Sequence, residues 1–307
     1  MKKCFVLILS LLLLVQKGFA QDGSALGFTR TERNPVTSAM AGAGAAWAQD
    51  AAYAAFSHAV MLPYFDGALD AMVSFQSWTP ALSAQAHFSA GVAYKPIANL
   101  GVAIGYSLEN LSAYDVVDAE GSILGLFYPK NHIIALGLGY GIGAHFSVGA
   151  NFRYARQIPA PGAVSAGVSA DLFAAWQFFP GLRISAGVST LGPALVSGGI
   201  SYKQPASAQA GVNWSAPLGQ NHALDLLLDA DYYFSGAFSA ALGAQYAWNR
   251  MLFARLGYRY ATGHCVIPSH LALGAGVRYR GFRLDASLLT ASPALGGSFQ
   301  VGIGYSF

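Results

Sequence analysis

Apolar and polar residues alternate along most of the chain, and the last ten residues show the pattern most simply. Phe299, Val301, Ile303, Tyr305 and Phe307 are apolar, and small or polar residues lie between them. A period of two places the two sets on opposite faces of a β-strand. One face is continuously apolar, and the other is too small and polar for a packed soluble core. This composition is typical of a membrane barrel strand, with lipid outside and a polar lumen inside.

The alternation begins at Leu69 and continues to the C-terminus. It predicts an all-β fold, a transmembrane antiparallel β-barrel of about 14 strands over residues 68–307, an even number as in bacterial single-chain barrels. Most segments have about the 9–11 residues that a tilted strand needs to cross a bilayer. We interpret residues 195–203 as a loop, because an odd count would place the termini on opposite sides. The predicted strands are 69–77, 84–94, 100–108, 132–141, 144–155, 164–178, 182–190, 206–215, 222–234, 237–248, 251–261, 269–280, 282–290 and 297–307.

The lengths of the connections agree with this arrangement. With both termini in the periplasm, every periplasmic connection is short and every long connection is exterior, as is the rule for these barrels. The short connections are 95–99, 141–143, 179–181, 216–221, 249–250 and 281, and the longer ones are 109–131, 156–163, 191–205 and 262–268.

Composition narrows the class of protein. Hydrophobic residues make up 54% of the chain and charged residues 10%, which is too apolar for a typical soluble protein. After residue 20, however, no uncharged apolar run is long enough for a transmembrane helix. Only helices and closed barrels pair all their backbone groups in lipid, so the composition also favours a barrel. The net charge of +3 and the lack of a Lys/Arg cluster exclude a nucleic-acid partner.

The N-terminus has the pattern of a secretory signal peptide. Residues 1–3 are basic at two positions, residues 5–15 are apolar, and residues 18–20 are suited to signal peptidase. We expect cleavage before Gln21 and delivery to the outer membrane of a bacterium. Cys265 is then the single remaining cysteine, which excludes an intrachain disulfide.

Residues 21–67 do not alternate and are expected to form an N-terminal plug or periplasmic segment. Small side chains from Met40 through Gly42 and Gly44 to Asp50 would let this segment lie close against a barrel wall. The alternative is a short helix that rests on the periplasmic rim. Gly42 and Gly44 do not form a phosphate-binding loop, since no strand precedes them and no Gly-Lys-Ser/Thr follows.

Charged residues within the strands follow the same alternation. A Lys or Arg on the lipid face near the midplane costs about 2–4 kcal/mol, so these charges are predicted to face the lumen. They would either pair with one another or guide a solute, and buried charges usually need partners. The predicted lumen charges are Arg153, Asp171, Asp225, Asp229, Asp231, Arg255, Arg259, Arg278, Arg280, Arg283 and Asp285. Aromatic residues at strand ends are predicted to form interfacial girdles: Tyr94, Tyr106, Tyr140, Tyr154, Trp176, Trp214, Tyr246 and Trp248.

No catalytic, cofactor or metal site is predicted. The histidines are scattered, and none lies in a recognisable Ser or Cys motif. His264 and Cys265 supply two metal ligands where a stable site needs three or four. Asp118 and Glu120 lack the spacing of a calcium loop. We therefore expect a protein that is not an enzyme.

Several segments resemble motifs of known outer-membrane barrels. Gln300, Gly302, Tyr305 and Phe307 are similar to the C-terminal assembly signal of bacterial barrels. Other segments resemble the PorV/PorQ proteins of Bacteroidetes, within the wider FadL-like barrels. They are the plug run 40–46 with Asp50, the strand ending 74–80, the loop 118–125, the strand exit 189–192 with its return 204–207, and the pair 243–246 and 253–258.

This resemblance implies a monomeric, plugged barrel that serves the type IX secretion system and is surrounded by outer-membrane lipid. Its partners would be secretion-system proteins or cargo that carries a C-terminal sorting domain. Loop 109–131 has a large apolar content, and exposed apolar patches mark interaction sites; the alternative is that this loop folds inward and caps the barrel. The partner-binding residues would be Tyr114, Val116, Val117, Ile123, Leu124, Leu126 and Phe127.

Two other functions remain open. A FadL-like importer of hydrophobic small molecules would need an apolar pocket and a lateral opening beneath the plug. Gly-rich strands such as 137–143 could kink to form that opening. A structural, porin-like barrel would have no dedicated ligand.

Overall fold

The computed structural model describes residues 24–48, 50–79, 85–197, 200–263, 265–292, 295 and 297–307. Fourteen antiparallel strands form a closed barrel, and the first strand pairs with the last. The predicted fold class is therefore confirmed. The expected signal peptide and its cleavage site lie outside the described residues. Within those residues, no helix has the length and apolarity needed to cross a membrane.

The described residues form eighteen strands, fourteen in the barrel and four in two small hairpins, β4–β5 and β10–β11. Their bounds are β1 Leu69–Trp78, β2 Gln85–Ile97, β3 Leu100–Asn110, β4 Tyr114–Val117, β5 Ile123–Phe127, β6 Lys130–Ile142, β7 Phe146–Ala160, β8 Ala163–Phe179, β9 Leu182–Leu191, β10 Leu195–Ser197, β11 Ile200–Tyr202, β12 Ser207–Pro217, β13 His222–Tyr233, β14 Phe238–Trp248, β15 Leu252–Ala261, β16 His270–Tyr279, β17 Phe282–Thr290 and β18 Phe299–Ser306.

The structure differs from the predicted strands mainly at the long connections. The connections after β3 and β9 are not plain loops, because each contains a hairpin outside the barrel sheet. Their strands have three to five residues, too few to cross a bilayer. The predicted loop 156–163 is mostly strand, since β7 and β8 extend to a tight turn at Pro161 and Gly162. Gly162 has φ 74°, which a residue with a side chain adopts at a cost.

The alternation predicted from the sequence sets the two surfaces of the wall. In β1, Asp70, Met72, Ser74 and Gln76 are buried, while the residues between them face outward. The outward positions of the barrel carry most of its exposed large apolar side chains, and all eight predicted girdle residues are exposed. The outer surface therefore has the apolar character of a lipid-facing barrel.

The N-terminal segment lies inside the barrel. It contains 3-10 helices at Gly27–Arg30, Ala51–Ala55 and Ala59–Tyr64, and one turn of α-helix at Pro35–Ser38. The two later 3-10 helices pack on the inner faces of β1, β2, β3, β6, β7 and β8, and the α-helical turn packs on β16, β17 and β18. These contacts lie on the inner faces of the strands, whereas the alternative expectation was a helix that rests on the periplasmic rim. Asn34 caps the α-helical turn, because its side-chain oxygen accepts a hydrogen bond from the Val36 amide at 2.9 Å.

Topology in the membrane follows from the lengths of these connections and can be tested by labelling. Cysteine introduced at Ser122, in the connection between β4 and β5, is expected to react with an impermeant maleimide on intact cells. Cysteine at Asn249, in the tight turn between β14 and β15, is expected to react only after the outer membrane is opened. If Asn249→Cys alone were labelled on intact cells, the barrel would have the opposite orientation in the membrane.

Candidate functional site

The lumen is crossed by buried ion pairs between the inward faces of the strands. Asp171 accepts hydrogen bonds from two guanidinium nitrogens of Arg153, one of them at 2.8 Å. Three further pairs join strand to strand: Arg255 to Asp285 at 2.7 Å, Arg259 to Asp231 at 3.8 Å, and Arg283 to Asp70 at 2.6 Å. The charges are thus arranged to pair with one another, as isolated buried charges require.

Further ion pairs attach the N-terminal segment to the wall. Arg30 lies 2.9 Å from Asp231, and Arg33 lies 3.0 Å from Glu109. Asp50 lies 3.2 Å from Arg278 and 3.7 Å from Arg283. Because these contacts reach β3, β13, β16 and β17, the segment is held from several sides of the barrel.

Asp50 is a buried carboxylate of the segment that lies among several arginines of the wall. Burial raises the pKa of its carboxyl group, but the positive charges of Arg283, Arg278 and Arg255 outweigh burial. The net result is a pKa below the usual value for Asp. A charged Asp50 can therefore hold both arginines, and the amide of Asn34 also donates to it at 3.3 Å.

Asp229 holds the small-residue part of the segment through the backbone. Its Oδ2 atom accepts hydrogen bonds from the amides of Gly44 and Ala45, each at 2.8 Å. Met40 is fully buried in a cluster that includes Trp47 and Leu227. The predicted plug residues therefore lie against the lumen wall, in close contact with charges that were predicted to face it.

Gly42, another predicted plug residue, lies beside Arg259 of β15. It has φ 82°, in the left-handed region that favours glycine. The guanidinium of Arg259 donates to the carbonyl of the preceding Ala41 at 2.9 Å. The turn at Gly42 thus leaves room for that contact.

Among the described residues, two of the predicted lumen charges, Arg280 and Asp225, do not form ion pairs across the lumen. Arg280 does not face the lumen: it lies in the turn between β16 and β17 and is exposed. Its guanidinium lies 5.3 Å from the centroid of the Tyr279 ring, within the range of a cation–π contact. The strand ends at Tyr279, one residue before Arg280, so the alternation no longer applies there. Asp225 does face inward, and it accepts a hydrogen bond from Gln245 at 2.9 Å instead of pairing directly with an arginine.

The sequence prediction missed four charged residues of the ion pairs described above. Asp70 and Glu109 lie at buried positions of β1 and β3, and the same alternation that identified the other charges would have found them. Arg30 and Arg33 lie in the segment without periodicity. No local pattern marks those two as partners of the wall.

Three cavities lie at the segment: one is lined by residues of the segment alone, and two lie between the segment and the wall. Their volumes are about 50, 80 and 40 Å³, far below the roughly 300–1,000 Å³ of a typical ligand pocket. The cavity of about 80 Å³ is lined mainly by polar and charged side chains, including Arg30, Arg153 and Asp231. The apolar pocket that an importer requires is not open in this state among the described residues.

The described residues hold no group of three or more potential metal ligands. Cys265 is half-buried in the connection after β15, and its thiol donates to the carbonyl of Phe238 at 3.2 Å. Burial raises the pKa of this thiol, which disfavours the thiolate that binds metals. His264, the neighbouring potential ligand, lies outside the described residues.

The predicted partner-binding residues form the exterior hairpin, defined here as β4, β5 and their turn, residues 114–127. Ile123 and Leu124 are each 67% exposed, and most of the remaining apolar side chains are exposed as well. The alternative in which this loop folds inward as a cap is wrong. The hairpin instead contacts the end of β7, where the Tyr114 hydroxyl donates to the Pro159 carbonyl at 2.8 Å.

The C-terminal motif residues lie on both faces of β18. Gln300 points inward and donates to the Arg33 carbonyl, and Gly302 lies next to Pro35 of the segment. Tyr305 packs between Phe282 and the exposed Phe307, with ring centroids 4.5 and 4.3 Å apart. Their role as an assembly signal stays a prediction.

Comparison with known proteins finds solved structures of similar fold. No protein-family model matches the chain, and no curated protein sequence is similar to it. Among solved structures, the Pseudomonas putida toluene transporter TodX has a TM-score of 0.63 at 12% identity, over 89% of this chain and 98% of that chain. The Ralstonia pickettii toluene transporter TbuX has a TM-score of 0.60 at 14% identity, over 88% and 97%. A Pseudomonas aeruginosa FadL homologue has a TM-score of 0.55 at 11% identity, over 95% and 100%.

The TM-scores show a likeness of fold, and at these low sequence identities the likeness concerns the fold alone. The barrel residues 68–307 make up less than four-fifths of the chain, so a match over 89% extends into the N-terminal segment. The wider FadL-like part of the predicted resemblance is confirmed at the level of fold. Nothing in the comparisons supports the narrower PorV/PorQ assignment or a type IX secretion context. The chain thus has the fold of the FadL-like outer-membrane barrels.

Proposed function

We propose that this protein is an outer-membrane channel for small hydrophobic molecules, with its N-terminal segment as a plug. The observation that carries the proposal is the likeness to two toluene transporters over nearly their full length. It favours the importer among the functions left open by the sequence. The apolar outer belt supports an outer-membrane location. No step of this function requires a catalytic residue.

The ion pairs of the segment give the plug a physical basis. Arg30, Arg33 and Asp50 each contact an opposite charge on the wall, and the cavities around the segment are too small for a ligand. The described state is therefore closed, and transport requires that part of the segment moves. A movement that keeps most of these pairs is favoured, since each pair broken leaves buried charge without a partner.

The exterior hairpin supplies an apolar surface at the mouth of such a channel. Ile123, Leu124 and Leu126 are exposed on it, and apolar surfaces of this kind mark binding sites. A hydrophobic solute that partitions onto the hairpin is concentrated beside the lumen. We therefore assign the hairpin to capture of the solute.

A transport assay tests this assignment. Replacement of Ile123, Leu124 and Leu126 by Ser is expected to slow uptake of labelled toluene by cells that express the protein. The change removes most of the apolar surface of the hairpin, at about 25 cal/mol per Å², and leaves its backbone pairing in place. Ala119→Ser with Glu120→Gln, in the turn of the same hairpin, is the matched control and is expected to transport normally.

Three results would contradict the proposal. Wild-type cells that take up toluene no faster than cells without the protein would exclude the channel function. Equal uptake by the triple variant and the control would remove the hairpin from it. If the triple variant loses uptake of polar sugars together with uptake of toluene, the protein is a general pore.

Recognition of secreted cargo is the second candidate, and the exposed hairpin is the observation that favours it. A folded sorting domain is too large for the lumen of a barrel of this size, so its affinity would have to reside in exterior elements. Replacement of residues 112–127 by a short Gly/Ser turn would then abolish retention of sorting-domain cargo and leave toluene uptake unaltered. The reverse outcome, with normal cargo release and lost uptake, supports the channel.

A further inference from the structure

Three basic side chains lie together on the outward face of the barrel, at the exterior end of β6 and β7. Lys130 and Arg156 are exposed and His132 is half-buried, while the residues between them along each strand are buried or half-buried. His132 is directly opposite Arg156 in the β6–β7 register. Lys130 is two residues from His132 on the same face. We call these three residues the basic patch.

The basic patch has no counter-charge in the described part of the chain. No described carboxylate lies within 4.0 Å of Lys130 or Arg156. Lys130 and Arg156 are diagonal neighbours across the two strands, a separation that long side chains can span. The lumen of the same barrel pairs its arginines with carboxylates, so the unbalanced patch on the outer surface calls for an anion from outside the chain.

The depth of the patch indicates which anion is available. Tyr106 of β3 and Tyr154 of β7 are exposed girdle residues beside it, and the Tyr106 hydroxyl lies 2.8 Å from Nδ1 of His132. Tyrosines of a girdle lie at the level of the lipid headgroups. The basic patch is therefore at the level of the lipid headgroups, whose phosphate groups are anions within its reach.

An apolar groove begins next to the patch and runs over the outer surface of β3, β2, β1 and β18. Its volume is about 740 Å³. Ala71 and Ala90 form its floor, because their methyl groups are shorter than the outward side chains around them. Tyr106 and Ile134 line the end of the groove near the patch, and Ile134 is the next outward residue after His132 on β6. A groove of this size accommodates a lipid acyl chain.

We propose that this face binds a phosphate-bearing glycolipid of the outer leaflet, of the lipid A class. One phosphate contacts Lys130, His132 and Arg156, and an acyl chain lies in the groove that runs from Tyr106 over Ala90 to Ala71. A guanidinium and an ammonium are suited to phosphate, which accepts charge-assisted hydrogen bonds from both. The site is on the outer surface and does not depend on transport through the lumen.

Lipid binding to the full-length protein in detergent tests the site. Native mass spectrometry with added diphosphoryl lipid A is expected to detect one retained lipid on the wild-type protein. The variant Lys130→Gln, His132→Gln, Arg156→Gln is expected to bind at least about tenfold more weakly, since basic groups near a membrane surface attract anionic lipid. Arg250→Gln with Arg280→Gln removes two exposed charges at the opposite end of the barrel and is expected to bind as the wild type does.

A second variant tests the groove without a change of charge. Ala90→Phe fills its floor and is expected to weaken retention of lipid A, while the protein keeps the heat-modifiable mobility of a folded barrel in electrophoresis. Lipid A without its phosphates is expected to bind as weakly to the wild type as intact lipid A binds to the triple variant.

Several outcomes would overturn the proposal. Equal retention of lipid A by the wild type and the triple variant excludes the patch, and unchanged retention by Ala90→Phe excludes the groove. Retention of phosphatidylglycerol as strong as that of lipid A shows a response to charge alone. Displacement of lipid A by inorganic phosphate at equal concentration identifies a free-anion site. Displacement by toluene assigns the groove to the transported solute.

Discussion

Replacement of Arg283 by Met is expected to lower the free energy of unfolding by about 3–5 kcal/mol, the range for a buried ion pair that loses one partner. Arg283 donates to both carboxylate oxygens of Asp70, at 2.6 and 2.9 Å. It also lies 3.7 Å from Asp50. Both carboxylates are buried. The variant would leave Asp70 without its positive partner at the place where the first and last strands meet the segment.

Urea unfolding of the protein refolded into lipid vesicles measures this change. Arg280→Met is the matched control: it removes the same side chain three positions away, in an exposed turn, and is expected to change the free energy of unfolding by no more than about 0.5 kcal/mol. Adding Asp70→Asn to Arg283→Met should recover part of the loss, because the uncompensated charge is gone. A loss below about 1 kcal/mol for Arg283→Met would show that water reaches Asp70 and replaces the arginine.

Replacement of Gly149 by Leu is expected to displace the N-terminal segment from the wall and open the lumen to ions. Gly149 faces inward on β7, and a Cβ atom there would lie 2.2 Å from the backbone nitrogen of Val60. Backbone cannot move aside as the end of a side chain does, so the 3-10 helix at Ala59–Tyr64 has to leave its position. Overpacking of this kind destabilises by about 1–3 kcal/mol, and more where backbone must shift.

Conductance across a planar lipid bilayer detects the opening. The wild type is expected to remain closed, and Gly149→Leu is expected to conduct. Ala150→Leu adds the same side chain at the next residue, which faces outward, and serves as the control that stays closed. If both variants fold and both stay closed, the segment does not block the lumen, and its description as a plug is wrong.

The alternation of apolar and polar residues was sufficient to predict the barrel, because the period of a strand is a local property. Each strand repeats it independently, and an even number of strands with short turns at one end follows from the lengths alone. Burial of Arg153, Asp171 and Asp229 was also predictable, since alternate residues of a strand face opposite sides, so that position within the strand (its parity) assigns a face to every residue. The prediction failed at Arg280, where the strand ends one residue earlier and parity no longer applies.

Which charge meets which other charge was decided by the tertiary structure. Asp70 and Arg283 are 213 positions apart in the chain, and they become neighbours only because the barrel closes between β1 and β18. Arg255 and Asp285 lie on strands that are not adjacent, β15 and β17, and they meet across β16. No local pattern contains these distances.

The N-terminal segment is the clearest case of this kind. It has no periodicity, and its helices are one or two turns long, so its conformation comes from the wall that surrounds it. Its small residues indicated close packing, but its location inside the lumen and its bonds to Glu109, Asp229 and Arg278 depend on the closed barrel. The sequence by itself thus determined the barrel and the faces of its strands, because these follow from local alternation. The path of the segment and the pairing of the lumen charges required the tertiary structure, because both depend on contacts between residues far apart in the chain.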